Sequence, residues 1–249
     1  MKVPMNMFKW ESAALTHTGK VRTVNEDAYL DRTDDGFWVV ADGMGGHTAG
    51  DLASQAIVEA LAQLVLPDRL SEMINRVEET LVQVNNALIE EAAGRERNTT
   101  IGSTVVVLIC WRHIAVMMWV GDSRLYRLRS GIFSQLTQDH TQVEELVQRG
   151  VILPEEAESH PSSNVITRAV GATNKLFVDI EHDEIRPGDY YLLCSDGLNK
   201  ELKDEEIAEV MSQPGTPEQH GLELINKALS RNGLDNITLI LARSAEVDC

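Results

Sequence analysis

Three short apolar runs in the first half of the chain are separated by polar residues. They cover residues 37–41, 104–111 and 114–120, are rich in Val and Ile, and are closed by Gly, Asp, Arg or His. Runs of this length and composition are typical of buried β-strands. The second and third runs, and the segments RLYRLRSG and IFSQLT after them, are separated only by polar turns too short for crossover helices. We therefore predict an antiparallel meander.

Between the first two runs, apolar residues recur every three or four positions, which is the spacing of one helix face. One series is Ala53, Ile57, Ala60, Leu61 and Leu64, and the next is Met73, Val77, Leu81, Val84 and Leu88. We predict two amphipathic helices hinged near Pro67. Thr48 stands three residues before Asp51 in the pattern of a capping box, so the first helix should begin directly after the glycine turn.

The second half of the chain shows two further strands, in YYLLCSDG and NITLILAR, and two further helices, around 204–211 and 218–229. Residues 139–171 are more polar and contain a helical piece near 143–149 together with two prolines, so we predict a small flap there. Paired strands with helices gathered in pairs favour an α+β fold. We predict a central antiparallel β-sandwich flanked by pairs of helices. No repeat, low-complexity tract or linker divides residues 1–249, which predicts a single domain.

Acidic residues dominate the charge of the chain. Lys and Arg number 22 against 39 Asp and Glu, which gives a formal net charge of −17, and no basic block compensates for it. This balance disfavours binding to nucleic acids and to anionic membranes. It is typical of a well-solvated surface, and a cation site would contribute to it as well.

The sequence also bears on location and redox state. The first ten residues, MKVPMNMFKW, lack the apolar core of a signal peptide, and the longest apolar run, Ile114–Val120, is too short to span a bilayer. We therefore expect a cytoplasmic protein. Cys110, Cys194 and Cys249 lie far apart, which favours reduced thiols over a disulfide framework or a zinc site.

Four aspartates stand at the borders of predicted strands. Asp42 follows FWVVA, Asp122 follows IAVMMWVG, Asp196 follows YYLLCS, and Asp235 precedes NITLILA. Each alone fits a turn, but a carboxylate against a core must be paired, protonated or metal-bound. No matching set of lysines or arginines stands at strand ends and no Cys/His spacing suggests zinc, so the set favours Mg²⁺ or Mn²⁺ held by oxygen ligands.

Two neighbouring motifs add to this hypothesis. The glycines after Asp42 lack the Lys and Ser/Thr of a phosphate-binding loop, so we interpret them as bringing backbone close to a metal, with the Gly43 carbonyl as a candidate ligand. Upstream, VRTVNED places Arg22 near Glu26 and Asp27, with Arg22 and Glu26 on one face if the segment is a strand. Arg22 is either a phosphate clamp or part of a surface salt bridge with one of these acids.

The ordered set VRTVNEDAY, VVADGMGG, GSTVVVL, VGDSRLYRLR, QDHT, VITRAVG, LLCSDGL and DNITLILA resembles the metal-dependent PP2C (PPM) Ser/Thr protein phosphatases in their bacterial stand-alone form. The resemblance covers residues 16–243. It implies a β-sandwich between helical layers, ordered α-β-β-α, with a binuclear metal centre at one end.

The resemblance also implies roles for individual residues. Asp42 matches the aspartate that bridges both metals, Gly43 the carbonyl ligand, and Asp196 and Asp235 the remaining carboxylates on the first metal. Asp122 matches a ligand of a third, weaker metal.

The motif upstream matches the same family. Glu26 matches an acid that holds metal-bound waters, Asp27 its structural neighbour, and Arg22 the phosphate-binding arginine. Thr104 is assigned only to packing, and His140 to a structural role.

The implied reaction is direct hydrolysis of phosphoserine or phosphothreonine by a hydroxide held on two Mg²⁺ or Mn²⁺ ions. The chain departs from the animal enzymes, which carry a candidate acid histidine where this chain has Met44. As proton donor to the leaving group we therefore favour metal-bound water over His47. Implied partners are phosphoproteins and an opposing Hanks-type Ser/Thr kinase, and we expect a monomer. The family's variable flap corresponds to residues 141–164.

Two other functions are compatible with such an acidic set. A nucleotidyl or phosphoryl transferase also uses paired carboxylates and a divalent metal, but it needs a nucleotide-binding glycine loop followed by lysine, which the chain lacks. A catalytically weak relative that serves as a phosphoprotein-binding regulator usually shows loss of a metal aspartate. None of the family aspartates is missing here.

Overall fold

The computed structural model describes residues 8–45, 49–95, 100–157 and 160–246. Its strands form two antiparallel sheets. The strands are β1 (Phe8–His17), β2 (Asp27–Arg32), β3 (Phe37–Met44), β4 (Gly102–Ser103), β5 (Val105–Trp111), β6 (Ile114–Val120), β7 (Arg124–Arg129), β8 (Ile132–Gln135), β9 (Asp179–Glu184), β10 (Tyr190–Cys194) and β11 (Ile237–Glu246). One sheet has the order β1-β11-β10-β7-β8, and the other has the order β2-β3-β5-β6-β9 with β4 paired to β3.

The helices are α1 (Ala49–Ala62), α2 (Leu70–Ala93), α3 (Gln142–Gln148), α4 (Pro154–Ala157), α5 (Asp196–Asn199), α6 (Asp204–Ser212) and α7 (Pro217–Ser230), with a short 3-10 turn at Thr33–Asp35. Helices α1 and α2 cover one sheet and α5, α6 and α7 cover the other, whereas α3 and α4 lie in the flap. The α1/α2 pair begins and ends close to the predicted bounds, as do α6 and α7. The predicted capping residue Thr48 lies outside the described residues, so that prediction stays untested.

Three apolar clusters define the layers. The first joins α1 and α2 to the β2–β3–β5–β6 sheet, and the second joins α5, α6 and α7 to β7, β10 and β11. The third lies between the sheets, where Trp10 and Trp38 meet edge to face at 5.1 Å between ring centroids. The α-β-β-α arrangement therefore confirms the predicted α+β sandwich with helices on both sides.

The predicted meander is wrong in one respect. β5 and β6 form a hairpin in one sheet, whereas β7 and β8 form a hairpin in the other. The chain changes sheets through Gly121–Ser123, where Gly121 has a φ of 109° and a Cβ on it would lie 2.6 Å from Thr104. A short polar turn fits either a hairpin or a change of sheet, so the spacing alone could not decide between them.

Several elements differ from their prediction. β1, β2 and β9 were not predicted, because charged residues interrupt their apolar pattern. The flap carries α3 and α4, but both of its ends belong to the body of the protein: His140 is buried, and Val170 is fully buried and pairs with Ser103. Cys110 and Cys194 are buried thiols, as expected, and Cys249 lies outside the described residues.

The structure also bears on membrane insertion. None of the helices in the described ranges combines the length and the apolar character needed to cross a bilayer.

Candidate active site

The predicted acids come together at one end of the sandwich from five separate segments of the chain. Asp27 opens β2 and is the cross-strand partner of Asp42 in β3, so these two carboxylates are neighbours. Asp42 is therefore inside a strand that continues to Met44, and not at its end as the sequence suggested. Paired strands place two acids side by side, although they are far apart in the sequence.

The other three aspartates lie within two residues of a strand end. Asp122 comes directly after the Gly121 turn that follows β6, and Asp196 is the first residue of α5, two residues beyond β10. Asp235 stands two residues before β11. Because β10 and β11 are antiparallel neighbours, the residues directly after β10 and directly before β11 lie at the same end of the sheet.

Electrostatics identifies Asp42 as the centre of the group. Burial raises the pKa of the Asp42 carboxyl well above its ordinary value. Four neighbouring carboxylates raise it further, and these belong to Asp27, Asp196, Asp122 and Asp235. Asp42 therefore lies within a cluster of like charges. The repulsion among these carboxylates is reduced only when a cation binds or when some of them are protonated.

Two other members of the cluster show the same effect. Burial, together with repulsion from Asp196, raises the pKa of Asp27 to about 7 and that of Asp122 to about 7. Burial also raises the pKa of Glu26, partly offset by a hydrogen bond from the Gly50 backbone.

Among the described residues, two basic side chains contact the cluster. Arg22 Nη2 lies 2.9 Å from Asp235 Oδ2 at the solvent-facing rim, and Lys200 Nζ forms an ion pair with Asp196 Oδ2. Neither residue stands at a strand end, which agrees with the sequence analysis, but Arg22 reaches the aspartates from a loop and Lys200 from the position directly after α5. Arg22 and Glu26 also lie in the 18–26 loop, so they do not share a strand face.

Asn236 holds that loop in place. Its side-chain amide donates to the carbonyls of Thr18 at 2.8 Å and Val24 at 3.0 Å, and its Oδ1 accepts the Glu26 backbone N–H at 2.8 Å. The residue next to Asp235 thus fixes the segment that carries Arg22 and Glu26. Sequence reasoning missed this role, although the DN pair was the available signal.

Ser195 has a comparable function for Asp27. Its hydroxyl donates to Asp27 Oδ2 at 2.8 Å and accepts the Thr238 backbone N–H at 3.0 Å. The serine of the SDG motif therefore connects β2 of one sheet to strands β10 and β11 of the other.

Thr104 does more than pack, which corrects its assignment. Its N–H donates to the Asp42 carbonyl at 2.9 Å, and its Oγ1 accepts the Asp42 N–H at 3.2 Å and lies 2.6 Å from Ser123 Oγ. Thr104 thus links the backbone of Asp42 to the turn that carries Asp122.

His140 supports the same turn from the other side. Its Nδ1 accepts the Gly121 N–H at 3.0 Å, its Nε2 lies 3.1 Å from Asp179 Oδ2, and its ring stacks on Trp119. These contacts agree with the structural role expected of His140.

Glycines allow the segments to approach each other closely. A Cβ on Gly43 would lie 2.0 Å from the Gly50 carbonyl oxygen, and a Cβ on Gly50 would lie 2.6 Å from Glu26 Oε1. A Cβ on Gly197 would lie 1.9 Å from the Asn236 carbonyl oxygen. Gly43, Gly50 and Gly197 are therefore required by close contacts at the cluster.

The donor set fits a hard divalent cation. Asp27 Oδ1, Asp122 Oδ1 and Asp196 Oδ1 are buried and have no hydrogen-bond partner among the residues that the structure describes. Carboxylate and carbonyl oxygens are the preferred ligands of Mg²⁺ and Mn²⁺. Over the same residues, no three acidic, His or Cys side chains already surround a single point in metal-binding geometry. Arg22 contacts Asp235 Oδ2, and Lys200 contacts Asp196 Oδ2.

The structure bears only in part on the proton donor. Met44 lies at the end of β3 and is half-buried, whereas His47 lies outside the described residues. The choice between His47 and a water as general acid therefore stays a prediction.

Comparisons with known proteins agree with this architecture. The model of the family described as Protein phosphatase 2C matches residues 16–228. The protein phosphatase PhpP of Streptococcus pneumoniae is 34% identical over 244 residues, which cover 96% of this chain and 99% of the relative.

Two solved structures superpose closely. PppA, described as a key regulatory component of T6SS in Pseudomonas aeruginosa, matches with a TM-score of 0.87 and 41% identity over 94% of this chain and 97% of that one. The catalytic domain of the serine threonine protein phosphatase PstP, solved in complex with 2 manganese ions, matches with a TM-score of 0.85 and 33% identity over 96% of this chain and 100% of that one.

Proposed function

The chain belongs to the protein phosphatase 2C family of Ser/Thr protein phosphatases, and from that premise we propose that it removes phosphate from phosphoserine and phosphothreonine in proteins at the acidic cluster around Asp42, using Mn²⁺ or Mg²⁺. The observation that carries this proposal is the convergence of five carboxylates at one end of the sandwich, where burial and repulsion raise the pKa values of three of them, Asp42, Asp27 and Asp122. Such an arrangement is costly unless a cation compensates for it.

The metal ligands are proposed from this placement. Asp42, which is central in the cluster, would hold two ions together with the Gly43 carbonyl, Asp196 and Asp235. Asp122 would bind a third, weaker ion. When bound, two divalent ions supply an activated water as the nucleophile and positive charge beside the phosphate oxygens.

Arg22 is proposed to bind the phosphate group. It is half-exposed at the rim and uses one nitrogen on Asp235, which leaves further N–H donors of the guanidinium for phosphate oxygens. Its charge would stabilise the extra negative charge on those oxygens as the bond to the leaving group breaks.

Glu26 and Asp27 are proposed to order water within the cluster. Glu26 faces the start of α1 through its hydrogen bond from Gly50, and Asp27 is fixed by Ser195. Held in this way, the two carboxylates can accept hydrogen bonds from water that approaches the phosphorus. We further propose that the protein is a cytoplasmic monomer, and from the family resemblance that it opposes a Hanks-type Ser/Thr kinase.

Hydrolysis of a phosphothreonine peptide tests the function. Phosphate release by the purified protein is measured with Mn²⁺ and with a chelator, for the wild type, for Asp196→Asn and for Asp68→Asn. Asp68 is an exposed acid between α1 and α2 and serves as the matched control. We expect metal-dependent release, a loss of about 100-fold or more in Asp196→Asn even in excess Mn²⁺, and no loss in Asp68→Asn.

Two results would contradict the proposal. Wild-type turnover in Asp196→Asn would remove Asp196 from the site. No release by a wild-type protein that binds Mn²⁺ would favour the alternative function, a phosphoprotein-binding regulator.

A further inference from the structure

A groove of about 760 Å³ runs along the outer edge of β1, away from the acidic cluster. β1 is the last strand of its sheet and, among the described strands, pairs only with β11. The groove is lined on one side by β2 and the 3-10 turn, and on the other by Glu218 at the start of α7. Its floor is residues 12–15 of β1.

The lining wraps around both faces of the strand edge. Ser12 and Ala14 point toward the space between the sheets, where Ser12 Oγ donates to Asp31 Oδ2 at 2.8 Å. Leu15 lies on the opposite face, packed in the cluster with α7. Side chains alternate between the two faces of a strand, yet consecutive residues 12–15 all line the groove. The groove is therefore lined by the backbone edge of β1. The floor sequence SAAL carries no charge or proline to block strand pairing.

The walls are strongly acidic. The lining residues contribute one guanidinium and four carboxylates, and the carboxylates belong to Asp31, Asp34, Asp35 and Glu218. The one guanidinium, Arg32, is already engaged, because its Nε donates to Asp35 and its Nη1 to the Leu64 carbonyl. Asp34 and Glu218 are exposed on opposite walls. An added strand would therefore place alternate side chains against acids on both sides.

The groove is separate from the proposed active site but lies within reach of it along the same strands. Along β2, Asp31 lies four residues from Asp27, or about 13 Å. Along β1, Leu15 lies two residues before His17, which pairs with Ile237, and Ile237 lies two residues from Asp235. An extended chain that left the cluster along this edge would reach the acidic walls after roughly four to eight residues.

We propose that the β1 edge is a docking site for a basic, extended segment of the phosphoprotein substrate, which adds to the sheet as a further strand with Lys or Arg side chains against Asp34 and Glu218. Main-chain hydrogen bonds to the strand edge provide affinity without sequence preference, and the acidic walls select for positive charge. This inference rests on the proposed phosphatase function, since the segment belongs to its substrate.

Three phosphothreonine peptides test the proposal. One carries lysines four to eight residues from the phosphothreonine, one has glutamines at those positions, and one keeps the lysines but has prolines between them. We expect the lysine peptide to have a KM about fivefold lower than the glutamine peptide, with similar kcat. The proline peptide should lose that advantage, because proline cannot donate to a neighbouring strand.

Charge-reversal variants locate the effect. Asp34→Lys and Glu218→Lys should each reduce the advantage of the lysine peptide and leave kcat and KM for the glutamine peptide unchanged. Glu78→Lys, an exposed acid on α2, is the matched control and should retain the advantage. Fluorescence anisotropy of the unphosphorylated lysine peptide should show binding that weakens at higher salt and in the two groove variants.

The outcomes separate this proposal from the one it rests on. Failure of the wild type to hydrolyse any peptide would contradict the phosphatase function. Hydrolysis with equal KM for the lysine and glutamine peptides would overturn the docking site, and so would an undiminished advantage in both groove variants. An advantage that survives in the proline peptide would overturn strand addition.

Discussion

Lys200, which directly follows α5, forms an ion pair with Asp196, the first residue of that helix, and is one of two described basic side chains in contact with the acidic cluster. Burial disfavours the ammonium, but attraction to Asp196 outweighs burial and raises the pKa of Lys200. The same ammonium lowers the cost of charge on Asp122. A fixed positive charge therefore lies where the proposed metal ligands Asp196 and Asp122 approach each other.

Replacing Lys200 with Met should change how the cluster binds metal. Lys200 occupies one oxygen of Asp196, so a cation bound there must displace it. We expect Lys200→Met to bind Mn²⁺ severalfold more tightly by calorimetry, and its metal-free form to unfold at a lower temperature. Lys200→Arg, which keeps the charge, should resemble the wild type. Weaker Mn²⁺ binding in Lys200→Met would instead show that the lysine supports the metal ligands.

The stability of the metal-free protein should fall as the pH rises. The folded-state pKa values of Asp27 and Asp122 are about 7, against about 4 for an unfolded aspartate, so the folded state binds more protons between these values. The favourable contribution is present below pH 4 and is lost as the pH rises through 7, with an effect of the order of 2–4 kcal/mol for each group.

Thermal melts in chelator should therefore give a lower Tm at pH 8 than at pH 5.5. Mn²⁺ should restore the Tm at pH 8, and Asp122→Asn should flatten the pH dependence while Asp68→Asn leaves it intact. A Tm in chelator that is independent of pH would contradict the raised pKa values.

Substitution of Arg22 should act mainly on substrate binding. Arg22 is half-exposed and its pairing with Asp235 contributes little to folding, so Arg22→Ala should leave the Tm within a few degrees of the wild type. We expect KM for a phosphothreonine peptide to rise about tenfold, because the guanidinium no longer contacts phosphate oxygens. Steady-state kinetics measure this effect, and an unchanged KM would assign Arg22 to a surface ion pair with Asp235.

The glycine of SDG should not tolerate a side chain. A Cβ on Gly197 would lie 1.9 Å from the Asn236 backbone oxygen, so Gly197→Ala must displace the turn that carries Asp235. We expect a loss of about 2 kcal/mol or more in the free energy of unfolding, together with weaker Mn²⁺ binding. Gly94→Ala is the control, because Gly94 ends α2 in helical geometry and a Cβ there would meet only atoms at 3.5 Å or beyond. Equal stability of the two variants in denaturant melts would show that the α5 turn can relax.

The sequence alone determined most of the local structure. The helices α1, α2, α6 and α7 follow from apolar spacing, and β5, β6, β10 and β11 from compact apolar runs, because both signals depend only on neighbours along the chain. The candidate acids were found in the same way, since a carboxylate beside an apolar strand stands out in the letters themselves. β1 and β2 escaped detection because these edge strands carry charged residues in place of a continuous apolar pattern.

Only the tertiary structure decided which of these residues meet. The change of sheet at Gly121, the pairing of Asp27 with Asp42, and the contact of Arg22 with Asp235 across 213 positions are set by packing between distant segments. The ion pair of Lys200, the loop-holding contacts of Asn236 and the groove along β1 arise in the same way. Local sequence fixes the period of a helix or strand, whereas register and sheet partners depend on the burial of whole faces against one another, which no short stretch of sequence contains.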